Sequence, residues 1–291
     1  MPELPEVQAL ATSIQTRAGG LRLAALEVVA VSALKTADPP YVELLGSHLQ
    51  RVERRGKFLC LGFEDARWLV IHLARAGWVR LTDKVPTAPA RPGRGPLVVR
   101  GTFVTDDGEP VLTLEVTEAG TRKGAALYVV RELANVPGIA ALGPDALNLD
   151  AAGLAAVFRD AGATRLKNAI RDQRLLAGVG NAYSDEILHA ARLSPYAPAG
   201  GLTPDQLDAL ATALHDVLTD ASTRALAADP TSMKAEKKAC LRIHGATGKP
   251  CPVCGTAIAE VALADSSFQY CPTCQTGGKV LADRRMSRLL K

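Results

Sequence analysis

Four of the chain's six cysteines fall in two Cys-x-x-Cys pairs, Cys251/Cys254 and Cys271/Cys274, with sixteen residues between the pairs. Two short knuckles joined by a segment of hairpin length set four thiolates in a tetrahedron, the coordination of a structural Zn²⁺. With sulfur at every vertex the ion keeps no open position, so the expected zinc builds the fold and performs no chemistry. Two redox dithiols are the other reading, and the βαβ setting of that motif is missing. The opposite end of the chain offers a nucleophile. It reads Met1-Pro2-Glu3-Leu4-Pro5-Glu6. A small residue after an initiator methionine permits its removal, which leaves Pro2 as a secondary amine. An α-amino group titrates at about pH 8, well below lysine, so a useful fraction is unprotonated at neutral pH. Such an amine attacks carbon centres and passes through an iminium. Glu3 stands beside it as a general acid/base, and Glu6 lies one helical turn further on. Taken singly, each carboxylate is an ordinary charge in a helix's first turn. Adjacency to Pro2 is what favours chemistry.

These groups need a scaffold, and 291 residues suffice for two domains, each with a core. Hydrophobic content of 47% and charged content of 22% suit a globular protein in water. No apolar run reaches membrane-spanning length, and the N-terminus lacks a basic-then-apolar secretory layout. The expectation is a cytoplasmic protein with no membrane partner. The net charge is only +4, yet residues 234–291 carry ten Lys/Arg against four Asp/Glu. That local excess suits a phosphate backbone, with a solvated basic tail as the plain alternative.

Val7, Leu10, Ala11 and Ile14 recur at helical spacing behind Pro5, which predicts a helix within 1–18. From Leu21 to Val130 the pattern shifts to short β-prone runs at 25–29, 68–73, 97–100 and 111–116, split by turns such as Asp106-Asp107-Gly108. Such a pattern predicts an antiparallel sandwich or barrel, with 85–96 as a loop. After Gly143-Pro144-Asp145 the chain turns helical, with candidates at 149–160, 165–176, 183–192 and 203–227. Residues 228–240 read as a polar linker. Cys60 sits in an apolar run and reads as a small core residue; Cys240 stands outside the zinc pattern.

The motifs also form an ordered series: Met1-Pro2-Glu3-Leu4-Pro5-Glu6-Val7, Arg54-Arg55-Gly56-Lys57, Leu142-Gly143-Pro144-Asp145, 172–181 (ending Gly178-Val179-Gly180-Asn181), Tyr183-Ser184-Asp185-Glu186-Ile187-Leu188 and the cysteine module. The series resembles the Fpg/Nei family, the formamidopyrimidine-DNA glycosylases and endonuclease VIII enzymes, across nearly the whole chain. The resemblance implies an α+β architecture. An N-terminal helix and antiparallel β-sandwich would occupy 1–135, a helical helix–two-turn–helix DNA-binding domain 136–240, and a zinc finger 241–291. It implies a monomer acting on damaged DNA with one structural Zn²⁺ per chain. It further implies a bifunctional oxidised-base glycosylase and abasic-site lyase. Pro2 would attack the sugar C1′ and expel the base, Glu3 would serve as acid/base, Glu6 would face the same cleft, and Lys57 would reach a phosphate.

Glycines 178 and 180 permit a tight turn whose following helix start can cradle a phosphate, with Asn181 donating to the same oxygen; an ordinary asparagine helix cap is the bland reading. Lys167, Arg75 and Arg122 are further DNA-binding candidates. The sequence departs from the family at the residues that fill the gap left by an extruded base. Arg75 stands where many relatives carry a methionine, Thr121 and Lys123 where arginine and phenylalanine are usual, and Ser266 where an arginine grips phosphate. A histidine of the loop after residue 85 is missing, and 222–240 lacks the longer stretch that caps oxidised guanine. These departures keep open a second reading, a non-catalytic damaged-DNA-binding protein of the same fold, and a third, a zinc-dependent interaction module.

Overall fold

The first helix, α1 (Leu4–Ala18), starts where the sequence supplies a start signal. Glu3 at the N-cap accepts the Glu6 backbone N–H, and the Glu6 carboxylate reaches back to the Glu3 N–H, closing a capping box. Pro5 in the first turn loses no hydrogen bond, because the early N–H groups have no helical partner. Val7, Leu10, Ala11 and Ile14 form the buried face. The computed structural model describes residues 1–91, 95–119, 123–263 and 266–282. It divides into two units, Met1–Ala141 with Ser222–Glu236, and Leu142–Ala221 with Lys237–Lys291.

In the first unit α1 is followed by β1 (Arg22–Val28), β2 (Leu49–Arg55), β3 (Phe58–Phe63), β4 (Trp68–His72), β5 (Gly77–Thr82), β6 (Leu97–Val104), β7 (Pro110–Glu118), β8 (Ala126–Val130) and the short α2 (Pro137–Ala140). The strands form two four-stranded sheets, ordered β1-β6-β7-β5 and β2-β3-β4-β8. Every pairing within them is antiparallel. Leu59, Leu61, Phe63, Leu69 and Ile71 from one sheet and Val79, Phe103, Leu114 and Val116 from the other share one core with Leu10 and Ile14 of α1. This is the expected helix-led sandwich. β3 and β4 are apolar without alternation because their second face is covered too. Cys60, Trp68, Val70 and Val130 pack there against Val136, Leu133 and Ile139. Burial pushes the Cys60 thiol up to about 12, with Glu53 adding to the effect. Cys60 is a core thiol, as its run suggests.

The second unit carries α3 (Ala151–Arg159), α4 (Leu166–Arg171), α5 (Asn181–Ala190), most of α6 (Pro204–Ala227), the end of α7 (Met233–Cys240), the hairpin β9 (Ala259–Ala262) and β10 (Ser267–Tyr270), and α8 (Pro272–Thr276). α3 is capped by Asp150 Oδ1, which accepts the Gly153 N–H at 2.8 Å. Two expectations need correction. The helix over 165–176 stops at Arg171, because the chain turns through Asp172, whose carboxylate takes the Arg174 guanidinium at 2.7 Å. The polar linker over 228–240 is in part helical. Asp229 Oδ1 accepts the Thr231 N–H at 2.8 Å and Asp229 O the Met233 N–H at 3.0 Å, and α7 follows with Met233 buried. Its Lys, Glu and Ala residues are good helix formers, and polarity alone disguised them. No helix among the described residues is long and apolar enough to cross a membrane.

Candidate active site and zinc centre

Pro2, Glu3 and Glu6 are buried at the start of α1, while Met1 is 40% exposed. With Met1 attached, the Pro2 nitrogen is an amide, marking where the imino nitrogen stands once Met1 is gone. Glu6 Oε2 accepts the Glu3 N–H at 2.7 Å. One oxygen of Glu6 therefore fixes the Pro2-Glu3 peptide from within the first turn of α1.

Lys57 follows Gly56, whose φ of 55° makes the β2–β3 turn, and its side chain is largely buried. α1 runs along β2 towards that turn. Gln15 Oε1 accepts the Val52 N–H at 2.6 Å, and Gln8 Oε1 accepts from Arg54 Nε at 3.1 Å. Arg55 pairs with Phe58, so the Gly56-Lys57 turn lies only one or two residues beyond Arg54. At about 3.3 Å per strand residue and about 1.5 Å per helical residue, that matches about three or four back from Gln8. The turn and the Pro2 end of α1 thus share one edge of the unit. Arg54 closes the corner by donating from Nη1 to Gly56 O at 3.2 Å.

His72, a residue the sequence reading did not single out, joins this edge. Its ring lies 4.8 Å from that of Phe58 on the neighbouring strand. Burial, then the nearby Lys57 charge, holds its imidazole below the ordinary 6.5. The unfolded chain therefore takes up this proton before the folded one, and stability falls as pH drops through the imidazole range. Urea midpoints are expected to decline between about pH 7 and 5, and less steeply in His72→Gln; parallel curves would remove His72 as the cause. Its signal in the sequence was a lone imidazole closing an otherwise apolar strand.

Two loops flank this unit's edge strands. Arg75 is exposed on the β4–β5 turn, where Ala74 adopts a φ of 49°. Gly77 closes the turn, and a Cβ there would lie 2.2 Å from Leu73 O. In the β7–β8 connection the buried Glu118 carboxylate accepts the Gly124 and Ala125 N–H groups at 2.7 and 2.9 Å. A Cβ on Gly124 would meet Ala74 Cβ at 3.2 Å, so the two loops touch. Lys123 is turned inward onto Glu118 O. Arg122 and Thr121 lie outside the described residues.

In the second unit, Gly178-Val179-Gly180 is braced from two sides. Gln173 accepts the Gly178 N–H at 2.9 Å and donates to Val179 O at 2.8 Å. The Leu142-Gly143-Pro144-Asp145 segment runs beside it, with Ala177 N donating to Pro144 O at 2.9 Å. Gly143 is required there, since a Cβ would fall 2.4 Å from Arg174 O. The N-cap of α5 is Gly180, and Asn181 is its first helical residue. Asn181 Nδ2 donates to Ser267 O at 2.8 Å, while its buried Oδ1 has no partner among the described residues. An amide nitrogen carries two hydrogens, so one remains for an incoming oxygen.

Lys167 departs from its assignment as a DNA contact. It is 1% exposed, and its ammonium pairs with Asp185 and donates to Ser184 Oγ at 2.7 Å and Asn181 O at 2.9 Å. The far oxygen of Asp185 takes His244 Nδ1 at 2.6 Å. Lys167 holds the turn that presents Asn181. Lys167→Met is expected to cost about 3–5 kcal/mol by stranding the Asp185 charge, read from denaturant unfolding. A loss below about 1 kcal/mol would mean the pair is not the anchor described.

The four cysteine sulfurs lie within 4.8 Å of one another. Zn–S bonds of about 2.3 Å place tetrahedral sulfurs about 3.8 Å apart. The structure gives 3.9 Å for Cys251–Cys274 and 3.4 Å for Cys254–Cys271. The donor set fits one structural Zn²⁺ held by Cys251, Cys254, Cys271 and Cys274. Knuckle N–H groups support the sulfurs, Val253 N at 3.5 Å from Cys251 Sγ and Cys274 N at 3.4 Å from Cys271 Sγ. Ile243 and Ile258 pack beside them. Ser266 lies at the tip of the β9–β10 hairpin, its carbonyl accepting the Leu263 N–H at 2.8 Å.

A helix-led β-sandwich and a helical unit bearing a four-cysteine zinc finger define the class. Residues 1–117 match the formamidopyrimidine-DNA glycosylase N-terminal domain, 142–235 its H2TH domain, and 248–277 the zinc finger found in FPG and IleRS. The formamidopyrimidine-DNA glycosylase of Symbiobacterium thermophilum is 33% identical over 297 residues, 98% of this chain and 93% of its own. The chain belongs to the formamidopyrimidine-DNA glycosylase (Fpg/Nei) family. An uncharacterized formamidopyrimidine-DNA glycosylase-like protein of Mycobacterium tuberculosis is 56% identical over 160 residues, 55% of this chain and all (100%) of its own. The crystal structure of MutM (Fpg) from Thermus thermophilus has a TM-score of 0.75 at 28% identity, covering 96% of this chain and 100% of that one.

Proposed function

We propose that this chain is a monomeric DNA glycosylase of base-excision repair with abasic-site lyase activity, working through a Schiff base at Pro2. The observation that carries the proposal is the capping box, which holds the Pro2-Glu3 peptide rigidly at the first turn of α1 with Lys57 at the same edge. Support also comes from the Lactococcus lactis Fpg, which shares the fold at a TM-score of 0.79 and 24% identity and was crystallised with FAPY-dG containing DNA.

In the proposed reaction the Pro2 lone pair bonds to C1′ of the damaged nucleotide, and the C1′–N bond to the base breaks. The base leaves with a proton supplied by Glu3 or solvent. The Pro2 nitrogen then gives up its proton and O4′ gains one as the C1′–O4′ bond breaks, so ring opening leaves an iminium between Pro2 and C1′. That cation acidifies the C2′ proton, a base removes it, and the 3′ phosphate departs by β-elimination. Water then hydrolyses the iminium and frees Pro2. Lys57 and the remaining Asn181 N–H are proposed to hold backbone phosphates. Zinc contributes a folded finger and takes no step.

Arg75 and Ser266, in place of the usual methionine and arginine, favour a second reading in which the protein binds distorted DNA without cutting it. A panel of single- and double-stranded oligonucleotides bearing oxidised bases or an abasic site separates the two. Base release and nicking support the enzyme; tight, salt-dependent binding with intact strands supports the binder.

A further inference from the structure

One stripe of α5 carries several of the bonds between the zinc finger and the helical unit, beside the bond from Gln275 Nε2 to Leu193 O at 2.9 Å. Asn181, Asp185 and His189 recur at i, i+4 and i+8 on α5, with Glu186 beside them. Asn181 Nδ2 reaches Ser267 O at 2.8 Å, and Asp185 Oδ2 accepts the Gln269 N–H at 3.3 Å. Glu186 Oε1 accepts the Ile243 and His244 N–H groups, both at 2.9 Å. The last member touches the metal site itself. His189 is 7% exposed, and its Nε2 lies 3.2 Å from Cys251 Sγ.

We propose that His189 is a positioning residue of the zinc centre, its Nε2–H donating to the metal-bound Cys251 thiolate and locking that ligand to α5. A zinc-bound thiolate carries no proton, so the ring nitrogen must be the donor. The hydrogen bond stabilises the sulfur's negative charge in a dry setting and fixes its direction towards the metal. The Val253 and Cys274 N–H bonds arise inside the finger, whereas this one comes from a residue 62 positions upstream. Zinc thereby grips the helix whose first residue is Asn181, about 12 Å away along the axis. This inference depends on the zinc assignment and is independent of any Pro2 chemistry.

The test uses the full chain loaded with zinc and competed against a chromogenic chelator. His189→Phe, which fills the space without an N–H, is expected to weaken zinc binding about 10- to 100-fold. In cobalt-substituted protein its thiolate-to-metal charge-transfer band should shift relative to wild type. Unchanged affinity and an unshifted band in a folded His189→Phe protein would overturn the proposal. Should that variant fail to fold, a donor-bearing pair decides. His189→Gln is expected to hold zinc within about threefold of wild type while His189→Ala loses it, and equal losses in both overturn the donor role.

Discussion

Protein freed of Met1 is expected to give a covalent adduct when abasic-site DNA is added with borohydride, and the same chain with Met1 retained is expected to give none. The reason is electronic. Retention leaves the Pro2 nitrogen as an amide whose lone pair is delocalised into the carbonyl, while removal gives a secondary amine titrating at about pH 8. Loss of a covalent nucleophile lowers turnover by at least about 10³-fold, whatever the neighbouring groups still contribute. Mass spectrometry of the starting protein fixes the fraction processed, and the trapped fraction should track it. A second arm uses Pro2→Gly in a processed chain. A primary amine can still condense, so a reduced yield is expected there, with the adduct mapped to residue 2. Equal trapping by the Met1-retaining protein would show that the nucleophile is another group. Trapping by neither form, with tight binding retained, would leave the damaged-DNA binder.

Removal of the metal is expected to have the second large effect. Cys251→Ala deletes one of four thiolates and also the acceptor for His189. Structural zinc supplies about 10–16 kcal/mol of apparent folding free energy in isolated fingers, far more than the small apolar cluster around Ile243 and Ile258 can replace. Zinc content should fall from one per chain to well under half, and residues 248–277 should become protease-sensitive. DNA affinity should drop because β10 carries the carbonyl that holds Asn181. Trapping at saturating DNA should survive, since Pro2, the proposed nucleophile, belongs to the other unit. Full zinc occupancy in Cys251→Ala would contradict the four-sulfur site.

Patterns local in sequence were legible and contacts between distant elements were not. Cysteine spacing identified the zinc ligands because both knuckles are short and self-contained. It could not reveal His189, whose relation to Cys251 exists only once α5 lies against the finger. Lys167 is a DNA-binding candidate in sequence only by its place upstream of the glycine turn; Asp185 and Ser184, which bury it, arrive from the following helix. Glu6 suggested catalysis through adjacency, although the Glu3-x-x-Glu6 spacing already contained a capping box. The β-prone runs located β1, β4, β6 and β7, while β3 carries no alternating signature because residues 131–141 bury its second face. α7 escaped notice because a polar helix and a polar linker share a composition.

The reciprocal pair of bonds at the head of α1 has one more consequence. Those bonds use only backbone and carboxylate atoms of Glu3 and Glu6, and none from Met1. The capping box itself therefore does not depend on the first residue. The start of α1 is thus expected to keep its hydrogen bonds whether Met1 is present or clipped, while the two forms differ wholly in reactivity.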